Sequence, residues 1–271
     1  MRPSPRWVPR TWGRGVAEVT IVPSELEAGA IAADLIGRLV TAAPDAVLGL
    51  ATGSTPLSTY AALAASGLDL SRVRGFALDE YVGLPVGHPE SYRAVITREV
   101  VEPLGLRAEN VRVPGDDGLP LQGAGERYEG DIYAAGGIDL QILGIGRTGH
   151  IGFNEPGSSL ASLTRVKTLT EQTRLDNARF FDSIDQVPMH CITQGLGTIL
   201  RARHLVLLAF GEGKAAAVAA ALEGPVSAST PGSVVQLHPR VSVIVDEAAA
   251  SQLVHADYYR HAWEHRLDWE R

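Results

Sequence analysis

Residues 139 to 157 of this 271-residue chain gather the side chains and the backbone freedom that chemistry needs. The stretch reads Asp139-Leu-Gln-Ile-Leu-Gly-Ile-Gly-Arg-Thr-Gly-His-Ile-Gly-Phe-Asn-Glu-Pro-Gly157. It opens as an apolar run, Leu140 to Ile145, and then breaks into glycines that separate His150, Asn154 and Glu155. An imidazole with a nearby carboxylate can act as a base and its orienting partner. The competing uses are a metal centre, for which no H-E-x-x-H or paired-cysteine spacing exists, and a purely structural histidine. Gly144 to Gly149 also spells G-x-G-x-x-G, a dinucleotide signature that requires a helix after its third glycine. Gly152, Pro156 and Gly157 forbid that helix, so the stretch is read as a catalytic loop.

Three further groups of residues invite chemistry. Asp79-Glu80-Tyr81 ends an apolar run, so one carboxylate should face a cleft and its neighbour should point away. A partly desolvated Asp79 there can be a general base, although strand-end aspartates also serve structural hydrogen bonds. Thr52-Gly53-Ser54-Thr55-Pro56 lies between an apolar run and a helical pattern. Thr55 can cap that helix, Pro56 suits its first turn, and Gly53 lets another group approach the backbone, which together make an anion site suited to phosphate. The alternative is a plain capped turn, and without a Walker lysine a nucleoside triphosphate is not expected. Lys214 opens a helical pattern where the helix dipole disfavours a cation, so a bound anion would account for it unless it is simply solvated. Arg165 and Lys167 should share one face of an extended segment, and Arg174 and Arg179 follow. Four cations so close together in an acidic chain suggest recognition of small anions, against the alternative of a salt-bridged surface.

The elements that must position these groups alternate along the chain. Glu18 to Val22 reads as a strand, and Ser24 with Glu27 forms a capping box for a helix striped by Ile31, Leu35 and Leu39. Further strands are expected at Ala46 to Leu50, Phe76 to Leu78, Asn110 to Val113, Leu140 to Ile145, Leu205 to Phe210 and Val241 to Val245. Helical patterns such as Glu90 to Val101 and Lys214 to Leu222 lie between most of them. The alternation predicts an α/β fold: a single doubly wound, mostly parallel, Rossmann-like sheet with helices on both faces. No linker or repeat divides it, so residues 16 to 271 form one domain. Residues 1 to 15 carry Arg2, Arg6, Arg10 and Arg14 without an apolar core. They are read as a disordered extension or misplaced start, or alternatively a basic docking arm, rather than a secretory signal.

Composition narrows the partners. At 45% hydrophobic and 20% charged residues with a net charge of −7, the chain is an ordinary globular one without the basic balance of a nucleic-acid binder. A lone cysteine, Cys191, excludes an internal disulfide framework and suggests a cytoplasmic protein. No apolar stretch reaches the length of a membrane span.

Several ordered motifs resemble one family, the glucosamine-6-phosphate deaminases. They are Leu78-Asp-Glu-Tyr-Val-Gly-Leu-Pro85, His88-Pro-Glu-Ser-Tyr92, Gly149-His-Ile-Gly-Phe-Asn-Glu-Pro156 and Ser158-Ser-Leu-Ala-Ser162. Arg165-Val-Lys-Thr-Leu-Thr170, Asp176-Asn-Ala-Arg-Phe-Phe181 and Leu237-His-Pro239 extend the resemblance to about residues 17 to 257. It implies conversion of glucosamine 6-phosphate and water to fructose 6-phosphate and ammonia, with no metal or organic cofactor. It further implies Asp79 as the base at C2 and C1, His150 in ring opening, and Glu155 holding the imidazole. Phosphate would lie on Gly53, Ser54, Thr55, Arg179 and Lys214. Some members are hexamers activated by N-acetylglucosamine 6-phosphate at a subunit interface. Ser158, Arg165, Lys167 and Thr168 match that second site, so a homo-oligomer is expected with this compound as its candidate activator; other members are smaller and unregulated, and regulation does not follow from membership alone.

Two departures stand out. The family usually has an acid, sometimes Asn, where this chain has Thr148, and Leu163 replaces an arginine of the second site. The Thr148 hydroxyl can hydrogen-bond but brings no charge, so Glu155 must supply most of the field around His150. Rival readings are a sugar-phosphate lactonase of the same fold and a catalytically silent sugar-phosphate sensor. The first is not expected to keep the loop from Gly149 to Pro156 followed by Arg165-Val-Lys167, and no helix-turn-helix module gives the second an output on DNA.

Overall fold

The computed structural model describes residues 18–267, and the extension expected at residues 1 to 15 lies outside them. Among the described residues ten strands form two sheets. β1 (Glu18–Val22), β2 (Val47–Leu50), β3 (Arg74–Ala77), β5 (Val111–Arg112), β6 (Leu140–Gly144), β9 (Leu205–Ala209) and β10 (Val241–Asp246) make a seven-stranded sheet. Its order is β1-β10-β9-β6-β2-β3-β5, and every pairing is parallel. The inner strands are buried along nearly their whole length, as expected of parallel strands covered on both faces. From β2 the chain builds outward to β3 and β5 in one direction and to β6, β9 and β10 in the other. The seam between β2 and β6 is therefore a topological switch point, the position where open α/β sheets leave a crevice beyond the strand ends.

The helices are α1 (Glu25–Ala42), α2 (Leu57–Ala65), α3 (Tyr92–Ile96), α4 (Glu102–Leu104), α5 (Ala124–Ala134), α6 (Glu171–Asn177), α7 (Leu196–Ile199), α8 (Ala215–Leu222) and α9 (Ala256–Glu264). Ser24 caps α1 by accepting the Glu27 N–H at 3.2 Å, so the capping signal in the sequence is real. None of the helices among the described residues is long and apolar enough to cross a membrane.

Some expectations need correction. β2 and β3 lie within a residue or two of the expected runs, whereas the strand expected at Asn110 to Val113 is only Val111–Arg112. The helix expected from Glu90 starts at Tyr92, widens to π geometry over Thr97–Val101 and continues as α4. A second, antiparallel sheet was not foreseen. It joins β4 (Asp79–Val82), β7 (Arg165–Thr168) and β8 (His190–Thr193) in the order β4-β8-β7. Leu78 carries the chain from one sheet to the other: its N–H donates to the Leu50 carbonyl and its carbonyl accepts from the Gln194 N–H. This sheet sets residue 79 at the junction between the two layers.

Candidate active site

A cleft of about 760 Å³ opens beyond the ends of β2, β3 and β6. It is lined by Gly53, Ser54 and Thr55 after β2, Asp79 after β3, His150 from the loop after β6, Arg179, and Lys214 before α8. The loops leaving β2 and β6 thus meet over the switch point.

Asp79 is only 6% exposed although its side chain lines the cleft. Burial raises its pKa to about 8, helped by the negative charge of Glu80 and opposed by the Phe153 N–H. Glu80 turns away, as the alternation of a strand requires. Its carboxylate accepts the backbone N–H groups of Tyr81 at 2.7 Å, Tyr92 at 2.8 Å and Arg93 at 2.8 Å, and so caps the start of α3. The two adjacent carboxylates have separate tasks, one facing the cleft and one holding the helix that borders it. Tyr81, Tyr92, Phe153 and Phe181 pack with ring centroids 4.9 to 5.9 Å apart beside Asp79 and form an apolar wall.

The loop after β6 builds a hydrogen-bonded chain. The Thr148 hydroxyl lies 2.9 Å from Nδ1 of His150 and donates to Oε2 of Glu155 at 3.4 Å, while Nδ1 and Oε2 are themselves 3.4 Å apart. With that hydroxyl proton directed to the carboxylate, its oxygen accepts from Nδ1–H, and the other ring nitrogen, Nε2, is left as an acceptor. Burial tends to raise the Glu155 pKa, but hydrogen bonds from His150, Thr173 and Thr170 outweigh it and bring it down to about 2. Thr173 bonds Oε1 of Glu155 closely, and Thr170 bonds it at 3.1 Å. The ring of His150 lies so near Gly146 that a Cβ there would stand 2.1 to 2.5 Å from three of its atoms. Glycine at 146 is a condition for the position of the imidazole.

In the loop after β2 Gly53 adopts φ 89°, with open space where a Cβ would point. One expectation fails here. Thr55 does not cap α2: Pro56 is the N-cap and no side chain bonds the first turn. The hydroxyl of Thr55 and the N–H groups of the turn are consequently not consumed by capping. Lys214 is the N-cap residue of α8, as its position in the sequence suggested. Burial and the positive charge of Arg147 lower its pKa.

The four clustered cations divide. Arg179 reaches the cleft. Arg174 instead donates to the carbonyls of Ile184 and Val187, a structural use. Arg165 and Lys167 lie on one face of β7, and Arg165 donates to Oδ1 of Asn154 at 2.8 Å. Thr168 falls on the alternate face of β7, while Ser158 is buried with its hydroxyl unpartnered. Sequence reasoning missed Arg147 and Asp176, both lining the cleft, and Thr173, which secures Glu155. Thr173 lay outside any recognisable spacing, whereas Arg147 was visible beside Thr148 as a cation in a glycine-rich loop.

Fold and cleft together define an α/β protein whose site sits at the switch point of a parallel sheet. Over residues 25–244 the chain matches the family described as glucosamine-6-phosphate isomerases/6-phosphogluconolactonase, and it belongs to that family. A glucosamine-6-phosphate deaminase of Bifidobacterium longum (strain DJO10A) is 61% identical over 266 residues, a match spanning 93% of this chain and 98% of the relative. One from Streptomyces avermitilis is 60% identical over 258 residues, spanning 93% and 99%. Among solved structures, a monomeric glucosamine-6-phosphate deaminase superposes with a TM-score of 0.84 at 40% identity, covering 87% of this chain and 99% of that one. A 6-phosphogluconolactonase from Trypanosoma brucei, at 19% identity and a TM-score of 0.72, shares the fold.

Proposed function

We propose that this protein isomerises and deaminates glucosamine 6-phosphate, releasing fructose 6-phosphate and ammonia. The observation that carries the reading is a buried carboxyl poised near neutrality, Asp79, in one cleft with a tethered imidazole and unpaired cations. Relatives that are about 60% identical and named for that reaction support it, as the distant likeness to lactonases does not.

The chemistry assigns each group a task. His150 accepts the anomeric hydroxyl proton through Nε2 and returns a proton to the ring oxygen, opening the sugar to its aldehyde. Asp79 removes the proton from C2 and delivers it to C1 while one proton of the substrate ammonium passes to O1, so the aldehyde becomes a hydroxymethyl group and C2 becomes an iminium. Water then adds to the C2–N double bond, and ammonia leaves as the ketone forms. Because water is consumed and a C–N bond is cleaved, the overall deamination is hydrolytic. An arriving ammonium group favours the ionised form of Asp79 and so prepares the base. Thr148 and Glu155 act through His150 as positioning residues. Gly53, Ser54, Thr55, Arg179 and Lys214 hold the phosphate, which fixes the reacting carbons against Asp79.

Ser158, Arg165, Lys167 and Thr168 are proposed to bind a second anion, N-acetylglucosamine 6-phosphate, in a cytoplasmic homo-oligomer. The reasons are the shared face of the two cations on β7 and the unpartnered Ser158 hydroxyl. The test of the main reading is incubation of the pure protein with glucosamine 6-phosphate while ammonia and fructose 6-phosphate are assayed together. Equimolar appearance of both is expected. Absence of both would overturn it, and hydrolysis of 6-phosphogluconolactone in their place would favour the lactonase.

A further inference from the structure

The loop that carries Thr148 and His150 also carries Arg147, which takes no part in their hydrogen bonds. Its side chain lines the cleft beside Lys214 and Arg179. The Nε and Nη2 atoms of Arg147 lie 3.9 Å from where a Cβ on Gly213 would stand, which puts the guanidinium against the turn leading into α8. Among the described residues no carboxylate is within ion-pair distance of Arg147, Arg179 or Lys214. Of the charged neighbours that act on Lys214, Arg147 is the strongest, Arg179 adds to it, and Asp176 opposes both.

Three like charges held together are electrostatically costly, and Asp176, the carboxylate that opposes the other two cations at Lys214, forms an ion pair with none of the three. Phosphate monoesters ionise a second time near pH ~6 and then carry about two negative charges. A sulfate monoester has nearly the same shape but a single charge. A cluster of three cations gains more from the first than from the second.

We propose that Arg147 is a third phosphate-facing cation, and that it makes the subsite selective for a doubly charged phosphoryl group over a singly charged one. The sugar-phosphate reading supplies the class of ligand, but the selectivity resides in this cluster alone. Arg147 stands at the exposed rim, so it also draws the anion in from solution, an effect that salt screens.

The test uses the intact protein and calorimetric titration with methyl phosphate and methyl sulfate at about pH 8, where the first is a dianion. Wild type should prefer methyl phosphate. Arg147→Ala should weaken methyl phosphate on the order of tenfold, the loss expected of one charge-assisted contact, and methyl sulfate clearly less. Arg147→Lys should keep the preference. Equal affinity of wild type for the two ligands, no measurable methyl phosphate binding, or an Arg147→Ala variant that treats both ligands as wild type does would overturn the assignment. Equal loss of both ligands in Arg147→Ala would overturn the charge selectivity. Fructose 6-phosphate is titrated in parallel. If it fails to bind while methyl phosphate behaves as expected, the sugar reading falls and the role of Arg147 stands.

Discussion

In the proposed mechanism Asp79 and the Thr148–His150–Glu155 chain divide the proton chemistry, and their surroundings push the two carboxyl groups apart: Asp79 is raised and Glu155 is lowered. Asp79 is raised from 3.8 to about 8, so folding favours its protonated form. The associated stability is fully present below the unfolded pKa and is lost as pH rises through about 8. Asp79→Asn should therefore stabilise the fold near pH ~8 by roughly 1–4 kcal/mol while lowering kcat by ~10²-fold or more. Thermal melts and single-turnover kinetics would check both signs, and a destabilised or fully active variant would remove the base from this position. Glu155 has the opposite sign. Its pKa is depressed from 4.5 to about 2, so its contribution holds above 4.5 and is lost as pH falls toward 2. The structure gives Thr148 a more specific part than a missing charge: its hydroxyl joins Nδ1 of His150 to Glu155. Thr148→Val should slow turnover of the cyclic sugar by ~10-fold or more while Thr148→Ser retains it. Thr148→Asp, which adds charge beside the imidazole, should speed that step, and Glu155→Gln should cripple it. Comparing cyclic with ring-opened substrate analogues isolates the effect, and a harmless Glu155→Gln would break the assignment.

At the scale of elements, the neighbouring carboxylate supplies the contrasting case. Glu80 satisfies the backbone N–H of Tyr81 on β4 and those of Tyr92 and Arg93 at the start of α3, and its removal leaves a buried and two half-buried donors unpaired. Glu80→Ala should cost about 1–3 kcal/mol in a denaturant titration and loosen the wall formed by Tyr81 and Tyr92. The opposite response of adjacent residues, stabilised at 79 and destabilised at 80, is the test of the division between chemistry and capping. Much of this was legible beforehand. Strand alternation already separated Asp79 from Glu80, branched apolar runs located the parallel strands, and Ser24 with Glu27 marked the start of α1. The small antiparallel sheet was not legible. β8, His190-Cys-Ile-Thr193, follows Pro188 and Met189 with no long apolar run, and its pairing with β4 and β7 joins residues far apart in the chain. The capping role given to Thr55 failed because Pro56, with φ −81°, already takes that position without a side-chain bond. Arg147 was overlooked because Lys214 lies far along the chain and only the switch-point geometry brings the two together.

At the scale of the whole molecule, the open question concerns the outer edge of that small sheet. β7 is an edge strand, and edge strands expose backbone groups that a neighbouring chain can use. Val166 on β7 and Leu163 just before it are each 40% exposed, which leaves apolar surface beside Arg165 and Lys167. Arg165 is already tied to Asn154, whose side-chain amide donates to the carbonyls of Ile151 and Gln194. An anion drawn to Arg165 and Lys167 would thus pull on the same loop that holds His150 and Glu155. A ligand changes activity only by the difference in its affinity for two arrangements, and this link is where such a difference can arise. Sedimentation equilibrium should find an oligomer, and N-acetylglucosamine 6-phosphate should lower the half-saturating substrate concentration. Arg165→Ala should abolish that shift while leaving unactivated turnover measurable. The solved deaminase of 40% identity is monomeric, so assembly does not follow from the fold, and a monomer with hyperbolic curves unmoved by the effector would place this chain beside it. In that case the interaction of Arg165 with Asn154 is a fixed brace for the catalytic loop, and Arg165→Ala should lower kcat with or without the effector.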